Sequence, residues 1–146
     1  MDWSTKLRVV LDSNVFVSGI VWGGNPEKVL KLWREAKFRL FISPSGLLEI
    51  LGVLSRFKVP VEMIDEFKFL IENHATKVIP RSRFYVCRDT KDNQYLNLSY
   101  ECQADYLVTG DHDLLALKKF KKTKILKPKE FLKQIQAIDK KKISLF

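Results

Sequence analysis

Four acidic residues in this sequence stand where carboxylates could do chemistry together: Asp12, Glu49, Asp92 and Asp111. Asp12 directly follows the apolar run Leu7 to Leu11, and Asp111 follows Tyr106 to Thr109 with only Gly110 between. Both runs read as buried parallel strands, and in open α/β sheets ligands bind beyond the carboxyl ends of the strands. Asp92 stands at the start of a predicted helix, which belongs at that same edge, and Glu49 lies inside a helix between Leu48 and Ile50. Any one of the aspartates taken alone is an ordinary helix cap. Glu49 alone is a residue at the edge of an exposed helical face. The four together call for a common explanation. Carboxylates gathered in one place repel one another, and a hard divalent cation such as Mg²⁺ or Mn²⁺, which prefers carboxylate oxygens, gives the cluster a reason to exist.

The charge pattern suggests what such a centre would act on. Net charge is +9, and the excess lies wholly in residues 118–146, which hold eleven lysines against two acids, Glu130 and Asp139. The preceding residues balance. A basic stripe of this kind attracts polyanions, nucleic acid foremost, although lysine runs also serve simply as solvated, solubilising tails. An acidic metal centre beside a basic stripe points to phosphodiester hydrolysis.

Other chemistries lack their residues. Ser13, Ser18 and Ser99 have no histidine at a recognisable spacing for a serine hydrolase. Gly23 and Gly24 are not followed by Lys-Ser or Lys-Thr, and no G-x-G-x-x-G occurs, so neither phosphate-loop nor dinucleotide fingerprints exist. His112, between Asp111 and Asp113, reads as a solvated loop residue, and His74 as a helix-end residue. Cys87 and Cys102 form no C-x-x-C and read as reduced thiols. No apolar run reaches the roughly 18 residues of a membrane span, and the first residues lack a signal-peptide pattern. The expectation is a cytoplasmic protein without a membrane partner. With 146 residues, 46% hydrophobic and 29% charged, the chain is one ordinary domain.

The elements that must position the acids can be read from apolar patterning. Strands are expected at Leu7–Leu11, Phe38–Ile42, Val78–Ile79, Tyr106–Thr109 and Ile125–Leu126. Helices are expected from Pro26 to about Lys37, from Ser43 on with Leu47, Leu48, Leu51 and Leu54 on one side, from Val61 to His74, from Asp92 or Asn93 through Cys102, for a turn or two around Leu114–Leu117, and from Pro128 to Ala137. Val15 to Trp22 is an apolar stretch without a clear period. The alternation implies an α/β domain with a mostly parallel sheet of about five strands. Residues 138–146 read as a lysine-rich tail, either disordered or docked back through Ile143, Leu145 and Phe146.

Four segments in order carry a resemblance: V-V-L-D-S-N-V-F-V-S (9–18), L-L-E-I-L-G-V-L (47–54), R-D-T-K-D-N-Q-Y-L (88–96) and A-D-Y-L-V-T-G-D-H-D-L-L (104–115), followed by I-L-K-P-K-E-F-L (125–132). The chain resembles the PIN-domain nucleases, most closely the bacterial and archaeal subgroup of toxin–antitoxin toxins, from about Leu7 to Ile135. That resemblance implies a three-layer α/β/α domain spanning residues 1–137 and a metal-dependent endoribonuclease using Mg²⁺ or Mn²⁺. It implies an acidic centre of Asp12, Glu49, Asp92 and Asp111, with Asp113 as a fifth acid and with Asn14 and Thr109 bracing the carboxylates. Asp89 matches a common acid placed in the loop, away from the metal. Ser13 replaces the commoner threonine and Thr90 the commoner proline, and neither change removes an acid. The products implied carry 5′-phosphate and 3′-hydroxyl ends. Arg81, Arg83 and Arg88, with Lys118, Lys119, Lys121 and Lys122, are the candidates for holding RNA, single-stranded rather than duplex. The family also implies a homodimer and a protein antitoxin.

Two rivals bear comparison. A basic RNA-binding module with a PIN-like fold and no catalysis would predict lost acids, and all four are present. A haloacid-dehalogenase-like phosphatase would need an acid two positions after Asp12, where Asn14 stands and cannot supply a proton.

Overall fold

The computed structural model describes the backbone of residues 6–144 and side chains to Lys141. Its centre is a six-stranded sheet ordered β3-β2-β1-β4-β6-β5. β1 (Arg8–Leu11) lies between β2 (Arg39–Ile42) and β4 (Tyr106–Val108), β3 (Ala75–Lys77) flanks β2, β6 (Thr123–Leu126) flanks β4, and all of these pairs are parallel. Only β5 (Lys119–Phe120) runs antiparallel, as a short hairpin with β6.

Successive residues of β1 point to opposite faces, and each face has its own core. Val9 and Leu11 join one cluster with Phe16, Leu30, Trp33, Leu40, Ile50, Leu54, Phe67 and Phe131. These belong to β2 and to helices α1 (Ser13–Val21), α2 (Gly24–Arg34), α3 (Pro44–Arg56), α4 (Val61–His74) and α7 (Pro128–Ser144). Val10 joins the other cluster with Phe41, Tyr95, Leu96, Leu107, Leu114 and Ile125, under α5 (Thr90–Glu101) and α6 (His112–Leu117). The result is a three-layer α/β/α domain. Strands buried on both faces need continuous apolar runs rather than alternation, which is what V-V-L and Y-L-V supply.

The chain leaves β1 toward β2 and β3 on one side and returns to β4 and β6 on the other. The order therefore reverses between β1 and β4. Such a switch point opens a crevice at the carboxyl ends of the strands. The register Val9↔Tyr106, Val10↔Leu107, Leu11↔Val108 brings both strands to the same level, so Asp12 and Thr109 leave the sheet side by side.

Several expectations are corrected. The expected mostly parallel sheet is present, with six strands among the described residues, the short antiparallel β5 being the one not expected. The third strand is Ala75–Lys77 rather than Val78–Ile79: it starts at once after α4, its side chains are half-buried to exposed, and Ile79 is exposed. An edge strand pairs through its backbone, so β-branched residues need not mark it. The Val15–Trp22 stretch forms α1 up to Val21, with Trp22 as its exposed cap, and the helix's near-uniform apolarity reflects burial against both the sheet and α2. At Gly19 a Cβ would stand 2.6 Å from Leu30 Cδ1 and 3.1 Å from the Glu27 nitrogen, so only glycine permits this approach of α1 to α2. α2 ends at Arg34, three residues early, where Ala36 turns the chain with a positive φ. The last helix runs through Ser144, so residues 138–144 continue it instead of starting a separate tail; Leu145 and Phe146 lie outside the described residues. Among the described residues no helix is long and apolar enough to cross a membrane.

Candidate metal centre

Asp12 caps α1, and its carboxylate is almost wholly buried. Oδ2 accepts from Thr109 Oγ1 at 2.7 Å, while Oδ1 accepts from the Asn14 backbone N–H at 3.2 Å. The Thr109 hydroxyl in turn accepts from the Asp111 N–H at 3.0 Å, which ties the ends of β1 and β4 together. Burial pushes the Asp12 carboxyl above its usual range; the bonds from Thr109, Asn14 and Ser13 oppose that shift, and the nearby charge of Asp111 adds to it. Asn14 thus braces Asp12 through its backbone, while its own side chain is exposed.

Asp111 caps α6, its Oδ1 accepting from Asp113 N at 2.9 Å and Leu114 N at 3.1 Å. Asp92 lies in the first turn of α5, buried, where the capping residue is Asp89. Asp89 is exposed and accepts from the Lys91 N–H at 2.9 Å. Carboxylate oxygens of Asp92, Asp111 and Asp113 all lie within 4.8 Å of one another. Arg88 Nη2 stands 3.6 Å from Asp113 Oδ1 as the cluster's cationic neighbour. The Asp92 carboxyl is pushed up to about 6, by burial first and then by the charges of Asp111, Asp89, Asp12 and Asp113. Three carboxylates facing one point, one of them buried and all repelling, form a set of hard oxygen donors that fits a divalent cation.

Glu49 is not among those three, nor is Asp12. Glu49 is joined to Asp12 by Ser13, whose hydroxyl lies 3.3 Å from Asp12 Oδ1 and 3.2 Å from Glu49 Oε1. Its single proton serves one carboxylate at a time. On the far side Glu49 Oε2 accepts from Gln94 Nε2 at 3.0 Å and from the Tyr95 hydroxyl at 3.3 Å. Tyr95 also accepts from the buried Ser13 N–H at 3.1 Å. Burial, with the charge of Asp12, raises its phenol well above the ordinary range, so it stays a neutral donor. Ser13, Gln94 and Tyr95 were missed as site residues from sequence. Their links to Glu49, and that of Tyr95 to Ser13, span 36 to 82 positions, and a serine after a strand or a tyrosine on an apolar helix face carries no local signal.

The basic candidates divide by place. Arg81, Arg83 and Arg88 lie exposed on the segment between β3 and α5, which leads into the acidic edge. Lys118, which ends α6, and Lys119, the first residue of β5, are exposed. Lys121 and Lys122 form the β5–β6 turn, beyond the amino ends of β4 and β6, where Lys122 Nζ stands 3.7 Å from Asp105 Oδ1. That is the end of the sheet opposite the acids, and the same end holds Lys121 over the Phe84 ring. His112 is exposed next to the cluster.

Comparison with known proteins agrees with this architecture. The chain is 35% identical over 145 residues to the uncharacterized protein MJ1680 of Methanocaldococcus jannaschii, covering 90% of this chain and 93% of that protein. The PIN domain matches residues 8–113, from the first residue of β1 to the last of the three clustered aspartates. PIN domains are usually divalent-metal-dependent nucleases. The match takes in β1, β4 and all five acids at their carboxyl ends, and the chain belongs to the PIN domain family.

Proposed function

We propose that this protein is a Mg²⁺- or Mn²⁺-dependent endoribonuclease, acting in the cytoplasm on unpaired RNA as the toxin of a toxin–antitoxin pair. The observation that carries the nuclease reading is the meeting of Asp92, Asp111 and Asp113 oxygens within 4.8 Å at the switch point of a parallel sheet, in a PIN domain. Asp92, Asp111 and Asp113 would hold the cation, with buried Asp12 closing the site behind them. A divalent cation held there would offset phosphodiester charge, lower the pKa of water and stabilise the leaving oxygen. Thr109 fixes the Asp12 carboxylate, and Gln94 with Tyr95 fixes Glu49, so both acids are oriented before substrate arrives. Glu49 would complete the site or orient water. The arginines approaching the acids would hold the strand.

The toxin role, the antitoxin and a homodimer are supported by the resemblance to that subgroup. An exposed aromatic pair, Trp22 edge-on to Phe57 at 6.3 Å, is further support for a protein partner.

The test is cleavage of a labelled, pooled single-stranded RNA in Mg²⁺, Mn²⁺ or EDTA, with Asp12→Asn alongside. Asparagine can still cap α1 and meet Thr109, so the fold stays, while cleavage is expected to fall at least about a hundredfold. Equal cleavage by both proteins, or cleavage in EDTA, contradicts the proposal. Metal-independent binding without cleavage favours a non-catalytic RNA-binding module.

A further inference from the structure

Between β3 and α5 the chain forms an extended strap along α5. The Phe84 N–H donates to Asn97 Oδ1 at 2.7 Å. The Val86 and Cys87 N–H groups both donate to Asn93 Oδ1, at 3.0 and 2.8 Å, and Asn93 Nδ2 donates back to the Cys87 carbonyl at 3.1 Å. The two asparagines are one helical turn apart, so the strap runs antiparallel to α5 and its later residues approach the helix start. There Asn93 adjoins Asp92, and Arg88 reaches Asp113.

Along this strap exposure alternates. Ser82 and Phe84 turn inward, and the Phe84 ring packs edge-on against Tyr100 and Phe120, both at 5.1 Å. Arg81, Arg83 and Tyr85 turn outward. Alternate residues of an extended chain share a face about 6.5–7 Å apart. Tyr85 is 81% exposed, yet the backbone on either side of it is clamped by Asn97 and Asn93. The fold thus holds a bare aromatic face in a set position, in line with two guanidinium groups, on a path that ends at the acids.

We propose that the Arg81–Arg83–Tyr85 face of the strap is the platform on which single-stranded RNA runs to the acidic centre, with Tyr85 stacking on a base and the arginines meeting phosphates. Aromatic rings interleaved with cations are how proteins hold single strands without reading sequence. A duplex offers no free base face to a lone ring, so the platform selects unpaired strands. What the strand is delivered to rests on the nuclease reading; that the strap binds it does not.

The experiment measures binding of a fluorescein-labelled RNA of about 12 nucleotides by anisotropy in EDTA, where cleavage is silent. Tyr85→Ala is expected to weaken binding about 5- to 100-fold, and Tyr85→Phe to retain it within about twofold, because stacking needs the ring and not the hydroxyl. With 2-aminopurine in the RNA, wild type and Tyr85→Phe quench its fluorescence and Tyr85→Ala does not. The proposal is overturned if wild type binds no RNA, if Tyr85→Ala binds like wild type, or if Tyr85→Phe is as weak as Tyr85→Ala. It is equally overturned if Tyr85→Ala changes only the oligomeric state on gel filtration, which would make the strap a protein interface. A parallel cleavage assay separates the two claims: no cleavage by wild type with intact Tyr85-dependent binding sinks the nuclease reading alone.

Discussion

Asp92 shows how one residue couples stability to function. Its carboxyl is pushed up to about 6 by burial and by four neighbouring acids, so in the metal-free protein the folded state holds a proton that the unfolded chain releases near pH 4. The sign follows: this residue costs nothing below pH 4, and stability is lost as pH rises through 6. Asp92→Asn is expected to lack that dependence, gaining of order 1–2 kcal/mol over wild type between pH 4 and 7 once solvent screening at the open site is allowed for. Urea denaturation in EDTA across that range measures it; parallel curves for the two proteins would contradict the account. Tyr95 carries a second residue-scale expectation. Tyr95→Phe keeps the buried ring but leaves the Ser13 N–H unpaired and frees one side of Glu49, an expected loss of about 1–2 kcal/mol. Its check is the denaturation midpoint, and an unchanged midpoint would show that the hydroxyl is idle. At this scale the sequence was legible for acids and opaque for their braces. Asp12, Asp92 and Asp111 are announced by strand ends and a helix start, whereas the Ser13–Glu49–Tyr95 chain exists only once α1, α3 and α5 have met.

At the scale of elements, apolar runs identified the strands that are buried on both faces and missed what holds the rest. β1, β2 and β4 are nearly pure hydrophobic runs because both faces need them. β3 and β5 lie toward the sheet edges, where the backbone does the pairing and side chains such as Lys77 and Lys119 stay outside. α1 escaped detection because a helix pressed between the sheet and its neighbours shows no polar stripe to set a period. The close approach of α1 to α2 has its own test. Gly19→Ala would press a methyl group against Leu30 Cδ1 and against backbone at Glu27 and Pro26, an expected loss of about 1–3 kcal/mol. Thermal unfolding reads this directly; a stability equal to wild type would mean that α2 can move away freely.

The whole molecule explains why the acids meet at all. β4 leads to Asp111 and, in α6, Asp113, and α5 brings Asp92 to them, while β1 leads to Asp12 and α3 brings Glu49 to it through Ser13, because the chain reverses direction across the sheet between β1 and β4. The sequence placed the basic excess correctly in the C-terminal stretch, but charge counts hold no directions. Folding carries Lys121 and Lys122 to the opposite end of the sheet and brings Arg88, where the strap ends, beside Asp113. Convergence of the acids into one cation site is the central claim. Its most direct test is titration of the metal-free protein with Mn²⁺ at pH 8, reading free ion by electron paramagnetic resonance. Wild type is expected to retain the ion, with at least about tenfold weaker binding in Asp111→Asn and Asp92→Asn. Wild type that retains no Mn²⁺, or variants that bind it equally well, would contradict the account.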